Sequence, residues 1–175
     1  MAPFKVVITG VECSGKTTLA RHLAELFQTQ FIPEYARQYL EGLNRPYRQE
    51  DLVIIAQHQL YLHRKAEITS DQIVICDTGM MVMKMWSVIK YGMVSEELEK
   101  IISQDTPDLY ILPDYNIPFE LDGLRESGGR RQPIHKRYKD ALECSDVSWI
   151  EVRGSEIERA EQAFLAISAM MPNKS

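Results

Sequence analysis

Five short apolar runs punctuate the chain: KVVITG (Lys5–Gly10), QFIPE (Gln30–Glu34), QIVICD (Gln72–Asp77), DLYILPD (Asp108–Asp114) and WIEVRG (Trp149–Gly154). They are continuous rather than alternating, and each ends on glycine or an acid, which predicts strands buried on both faces. Between them the pattern changes to a period of 3.6. Leu19, Ala20, Leu23, Ala24 and Phe27 fall on one face of a helix starting near Lys16. EYARQYLEGL predicts a helix that breaks at Gly42, and Gln49 to about Ser70 a long one with Leu52, Ile55, Ala56, Gln59 and Leu60 on one side. Helices are further expected over Met80–Tyr91, Glu96–Gln104, Pro133–Cys144 and Ser155 to about Met171, the last opened by Ser155 with Glu158 as its capping-box partner. Residues 115–132 carry three glycines and a cluster of arginines and read as irregular.

Apolar strands alternating with helices predict an α/β fold, a parallel sheet with helices on both faces. Right-handed crossovers then bring the residues that follow Ile8, Pro33, Cys76, Leu112 and Val152 to one rim, where such sheets bind ligands.

Composition narrows this little. The 175 residues suit a single domain, with 45% hydrophobic and 26% charged residues. No apolar run is long enough to span a bilayer and the N-terminus does not read as a signal peptide, so a cytoplasmic protein with no membrane partner is expected. Cys13, Cys76 and Cys144 form no metal or disulfide spacing. The four histidines show no metal-ligand spacing either and are expected to be superficial or partly packed. A net charge of −5 argues against a nucleic-acid partner. Yet Arg125–Lys139 holds six basic residues against one acid, Glu126, a local patch suited to a small anion.

The chemistry is concentrated after the first strand. GVECSGKT (Gly10–Thr17) matches G-x-x-x-x-G-K-[ST] without exception, following a strand and opening a helix as the phosphate-binding loop requires. The glycines let successive N–H groups turn inward, and the helix N-terminus adds partial positive charge. Gly10, Glu12, Cys13, Ser14, Gly15, Lys16, Thr17 and Thr18 are therefore expected to bind the phosphates of ATP, with the Lys16 ammonium on the β- and γ-phosphates. Asp77, ending the third strand after four apolar residues, is expected to hold Mg²⁺ together with the Thr17 hydroxyl.

Glu34 ends the second strand, where it could accept a proton from an attacking hydroxyl, and Arg37 lies one turn later on the same side. Tyr35 is a candidate for stacking on a flat ring and Trp86 for walling a substrate pocket, while Met80, Met81, Met83 and Met85 are expected in core and pocket lining. DGLRESGGRR (Asp122–Arg131) has the makings of a lid over about residues 115–132, hinged at its glycines and closing arginines over a phosphoryl group in transit. Arg125 is its expected catalytic residue, with Arg130 on the ATP side and Asp122 on the substrate side.

Taken together and in order, GVECSGKT, PEYAR, ICDT, LPD and DGLR resemble the ribosylnicotinamide kinase domain of bifunctional NAD-biosynthesis and NAD-regulating proteins, a P-loop group near the deoxynucleoside and thymidylate kinases. The resemblance covers nearly the whole chain. It implies a P-loop NTPase α/β/α sandwich with a five-stranded parallel sheet of order 2-3-1-4-5 and a mobile lid. It implies transfer of the ATP γ-phosphoryl to the 5′-hydroxyl of a nucleoside such as nicotinamide riboside. It also implies that Glu34 and Arg37 face the ribose and acceptor hydroxyl, that Asp77 sits at metal and acceptor, and that Arg153 lies near adenine. No nucleotidyltransferase or DNA-binding segment precedes the kinase motifs, so a free-standing kinase or an altered acceptor is expected. Another nucleoside or nucleoside monophosphate kinase, and an ATP-binding regulatory ATPase, are the alternatives. The oligomeric state is left open.

Overall fold

The computed structural model describes residues 2–116 and 130–172. Strands β1 (Phe4–Ile8), β2 (Phe31–Ile32), β3 (Ile73–Asp77), β4 (Leu109–Pro113) and β5 (Ser148–Val152) form one sheet of order β2-β3-β1-β4-β5, with every pairing parallel. The register places Ile8 beside Asp77 and beside Ile111, so the carboxyl ends of β3, β1 and β4 meet at one rim.

Alternation along the strands sorts the core into two layers. Val7, Val74, Cys76, Tyr110 and Leu112 face one side, where they pack under α3 (Gln49–Thr69), α4 (Met80–Tyr91), α5 (Glu96–Ile102) and α6 (Arg131–Glu143). Val6, Ile8, Ile73, Ile75, Leu109, Ile111 and Val152 face the other, under α1 (Lys16–Leu26) and α7 (Glu156–Met170). The result is the expected three-layer α/β/α sandwich. Phe27 and Phe164 stack at 4.9 Å between ring centroids where α1 meets α7.

Several element boundaries differ from expectation. The second strand is two residues long, and Glu34 caps α2 (Tyr35–Glu41) rather than beginning it. Helix α6 starts two residues before Pro133, because the first-turn N–H groups have no intrahelical acceptor and proline there forfeits nothing. The capping box of α7 forms as expected: Glu158 N–H donates to Ser155 Oγ and Ser155 N–H to Glu158 Oε2.

Two histidines are far more buried than expected. His63 has no exposed surface and His135 is 4% exposed, each beside a carboxylate, Asp105 and Glu151. Among the described residues, no helix is long and apolar enough to cross a membrane.

Candidate active site

The loop between β1 and α1 folds back on itself. Gly10 takes φ 135° and Gly15 φ 80°, backbone that side chains resist. A Cβ on Gly10 would lie 2.9 Å from Leu112 Cδ1, so the loop also needs glycine for space. Ser14 Oγ donates to the Val11 carbonyl (2.9 Å), and Lys16 Nζ donates to the carbonyls of Gly10 (3.1 Å) and Val11 (2.8 Å), which places the ammonium over the loop.

Two arginines brace the loop from elsewhere in the chain. Arg159, on α7 and 5% exposed, donates from Nη1 to the Ser14 carbonyl (3.0 Å) and from Nε to the Gly154 carbonyl (2.8 Å). Arg131 Nη2, at the start of α6, donates to the Cys13 carbonyl (3.3 Å) and to that of Tyr115. In a trans peptide the C=O and N–H point opposite ways. Tying back the carbonyls of Cys13 and Ser14 therefore turns the N–H groups of Ser14 and Gly15 in the other direction, as an anion cradle requires. Burial lowers the Arg159 pKa, opposed by the charge of Asp114. The sequence motif points to neither arginine.

Behind the cradle, Thr17 Oγ1 donates to Asp77 Oδ2 (2.6 Å). Asp77 is 2% exposed, and its Oδ1 is buried with no hydrogen-bond partner among the described residues. Burial pushes this carboxyl above its ordinary value, opposed by the Thr17 hydroxyl and by the charges of Lys16, Arg21 and Arg37. A buried, unsatisfied carboxylate oxygen beside a hydroxyl is the oxygen donor set that a hard divalent cation takes. The next residue, Thr78, holds φ 74°, a strained conformation for a β-branched side chain, and its buried hydroxyl also lacks a partner.

A cavity of about 750 Å³ opens along the rim. Gly10–Leu19 form its floor in the middle. Glu34 and Arg37, after β2, line it toward one edge of the sheet, and Gly154, Ser155, Glu156 and Arg159, after β5, toward the other. Arg130 and Trp86 also line it. Burial raises the Glu34 carboxyl above its ordinary value, with Lys16 and Arg37 opposing and Asp77 and Glu12 adding to the rise. Sequence reasoning did not single out Tyr47, Ile89, Lys90 or Tyr138, which also line the cavity. Tyr47 and Trp86 sit 6.0 Å apart between ring centroids, and Lys90 Nζ lies 3.3 Å from the Tyr47 ring centre.

Other expected site residues lie elsewhere. Tyr35 does not line this cavity; it stacks on His58, with centroids 3.8 Å apart, in an adjoining groove that shares Glu34 and Arg37 with it. Arg153 does not line it either. Its side chain is 64% exposed and pairs with Glu151 at 2.6 Å. On α4 the cavity meets Val82, Trp86, Ile89 and Lys90, while Met80, Met83 and Met85 are core residues and Met81 packs against that core. Asp77 does not itself line the cavity; it bonds to Thr17, which does. Asp122, Arg125 and the lid glycines fall in residues 117–129, outside the described residues. Asp114, His135 and Glu151 bring potential metal-ligand atoms within 4.8 Å of one another. Lys139 and Arg153 already neutralise Glu151, however, so the group reads as an ion-pair cluster.

A family model described as an AAA domain matches residues 5–159. The chain belongs to that AAA domain family. The trifunctional NAD biosynthesis/regulator protein NadR of Salmonella typhimurium strain LT2 is 24% identical over 161 residues, which cover 87% of this chain and 39% of NadR. The chain thus spans well under half the length of that curated relative. Among solved structures, a NadR protein in complex with NR superposes with a TM-score of 0.78 at 22% identity, over 98% of this chain and 52% of that one. NadR in complex with NAD and AMP-PNP gives 0.73 at 23% identity, over 99% and 51%. Thymidylate kinase from Ehrlichia chaffeensis gives 0.68 at 14% identity, over 97% and 98%. These likenesses establish the P-loop kinase fold of this AAA domain protein, with the sheet order that the family resemblance implies.

Proposed function

We propose that the protein is a Mg²⁺-ATP-dependent kinase that transfers the γ-phosphoryl group to the 5′-hydroxyl of a nucleoside, with nicotinamide riboside as the leading acceptor. The observation that carries this reading is one cavity that joins a complete phosphate cradle to an acid–base pair, Glu34 and Arg37, and an aromatic wall, Tyr47 and Trp86. A cradle serving hydrolysis alone has no need of a second, apolar half shaped for a ring. The likeness to NadR bound to NR and to NadR bound to AMP-PNP supports the same pairing of acceptor and donor.

In this reading the amides of Ser14 and Gly15 and the Lys16 ammonium hold the β- and γ-phosphates. Thr17 and Asp77 would hold Mg²⁺, whose chemistry is to neutralise charge on the phosphoryl oxygens. Glu34 accepts the proton of the acceptor hydroxyl as its oxygen bonds to the γ-phosphorus and the bond to the β–γ bridging oxygen breaks, leaving ADP. Its raised pKa strengthens it as a base. Arg37 orients the acceptor. Arg130 stabilises charge on the transferring group, a part also proposed for Arg125, and Asp122 is proposed to contact the acceptor. A cytoplasmic setting and a small-molecule partner follow from the substrates.

The test is ADP release measured across nicotinamide riboside, deoxynucleosides and nucleoside monophosphates. The expected result is turnover that depends on nicotinamide riboside. Preference for another nucleoside would keep the kinase and change its acceptor. ADP release indifferent to every acceptor would replace the kinase with a regulatory ATPase.

A further inference from the structure

Behind Glu34 runs a buried hydrogen-bonded chain with no part in the transfer just described. Gln59 is 2% exposed, His63 0% and Asp105 5%. Gln59 Oε1 accepts from the Tyr35 N–H (2.8 Å), and Gln59 Nε2 donates to the Pro33 carbonyl (3.2 Å) and meets His63 Nε2 at 3.1 Å. His63 Nδ1 meets Asp105 Oδ2 at 2.9 Å. Lys5 Nζ donates to Asp105 Oδ1 and to Glu67 Oε1, the latter at 2.6 Å.

Two backbone groups fix where the protons lie. The Tyr35 N–H can only donate, so the Gln59 atom facing it is the carbonyl oxygen. The Pro33 carbonyl can only accept, so the atom facing it is the amide nitrogen. The second amide proton then points at His63 Nε2, which must offer a lone pair. A neutral imidazole with Nε2 bare carries its proton on Nδ1, where Asp105 accepts it. Burial would raise the Asp105 carboxyl, but the hydrogen bonds from His63 and Lys5 and the charge of Lys5 hold it below its ordinary value, ready to accept.

The two backbone groups flank a single residue. The Pro33 carbonyl belongs to the peptide entering Glu34, and the Tyr35 N–H to the peptide leaving it. One side-chain amide therefore bridges the backbone on both sides of Glu34, which sits at φ −69° and ψ 115° as the cap of α2. Its neighbouring strand, β2, is only two residues long and offers little other anchorage. From this we propose that Gln59 is a positioning residue for Glu34, itself held by His63 as the Nδ1–H tautomer and by Asp105. The kinetic part of this proposal rests on the reading of Glu34 as proton acceptor; the proton arrangement does not.

Nitrogen-resolved NMR of the imidazoles in the ¹⁵N-labelled full chain at neutral pH tests the arrangement directly. His63 is expected as a neutral ring protonated on Nδ1; an Nε2–H ring or an imidazolium overturns the relay. Kinetics test the positioning. Gln59→Leu is expected to lower kcat on the order of 10–100-fold, the scale of a misplaced reacting group, with KM for ATP changed less than about twofold. In a Glu34→Gln background the same substitution should cost less than about twofold more. Equal losses in both backgrounds, or a rise in KM for ATP matching the fall in kcat, overturn the positioning role. Should Glu34→Gln alone leave transfer intact, the base assignment fails, and the spectrum still decides the relay. Should Gln59→Leu not fold, the wild-type spectrum decides it as well.

Discussion

At the scale of single residues, Glu34 carries the sharpest expectation. Its carboxyl lies above its ordinary value because burial penalises the charged form more than Lys16 and Arg37 restore it. A base must first lose its proton, so the acid limb of kcat/KM should fall above the ordinary carboxylate range, with activity rising as pH rises through it. Glu34→Gln should slow transfer by about 10²–10⁴-fold and abolish that limb. A limb that persists in the variant would pass the titration to Asp77, whose carboxyl is also raised. The cradle residues were legible at this scale because the loop's function is written in contiguous letters. The loop-bracing roles of Arg159 and Arg131 were not, because they bind carbonyls 145 and 118 residues away in the chain. A basic residue in an amphipathic helix such as Arg159 reads as a solvated one, and Arg131 reads as the end of the lid, whereas it opens α6. Tyr35 was misplaced for a related reason: a helix-start tyrosine beside Glu34 shares its neighbourhood but not its direction, and His58 takes its ring.

Among the elements, α3 shows how one side chain organises a helix start. Asp51 accepts two bonds from Arg45 (2.7 and 2.9 Å), one from the Tyr39 hydroxyl (2.8 Å) and one from the Arg48 N–H (2.6 Å). The bonds from Arg45 hold its carboxyl far below the ordinary range, against the opposing effect of burial. A depressed folded-state pKa adds stability that is complete above the unfolded value and fades as pH falls through the folded one. Asp51→Asn should therefore cost about 1–3 kcal/mol at neutral pH, a Tm loss of several degrees. Thermal melts should show the gap between wild type and variant starting to narrow as pH falls through the ordinary carboxylate range and closing further in stronger acid. A gap that does not change with pH would assign the loss to packing. The limits of α4, Met80–Tyr91, were read correctly because Gly79 and Gly92 bracket a periodic run. Pro133 misled because its fixed φ suits several positions of a first turn, and only the contacts of Arg131 show where α6 begins.

For the whole molecule, Arg159 joins the last helix to the first loop through one planar group. Lysine cannot serve both the Ser14 and the Gly154 carbonyls with the fork geometry of a guanidinium. Arg159→Lys should raise KM for ATP by about tenfold while the far-ultraviolet spectrum stays that of the wild type. It should also shrink the stabilisation by Mg²⁺-ATP, about 2.7 kcal/mol at a hundredfold excess over Kd. Undiminished thermal stabilisation by nucleotide would make the arginine a packing residue only. The sheet order itself was legible only through the family resemblance, because apolar runs reveal strands but not their neighbours.

The two faces of the sheet divide the labour. Helices α1 and α7 lie on one side and supply Lys16, Thr17 and Arg159, whereas α2, α4 and α6, which supply Arg37, Trp86 and Tyr138, pack with the core of the other. The strands thus act as a partition. Under the proposed function, side chains that select the acceptor can be exchanged on one side of it with little effect on the packing behind the phosphate loop, Arg131 at the start of α6 excepted, because it binds the Cys13 carbonyl. Altered selectivity should therefore be reachable by changes confined to α2, α4 and the part of α6 beyond Arg131.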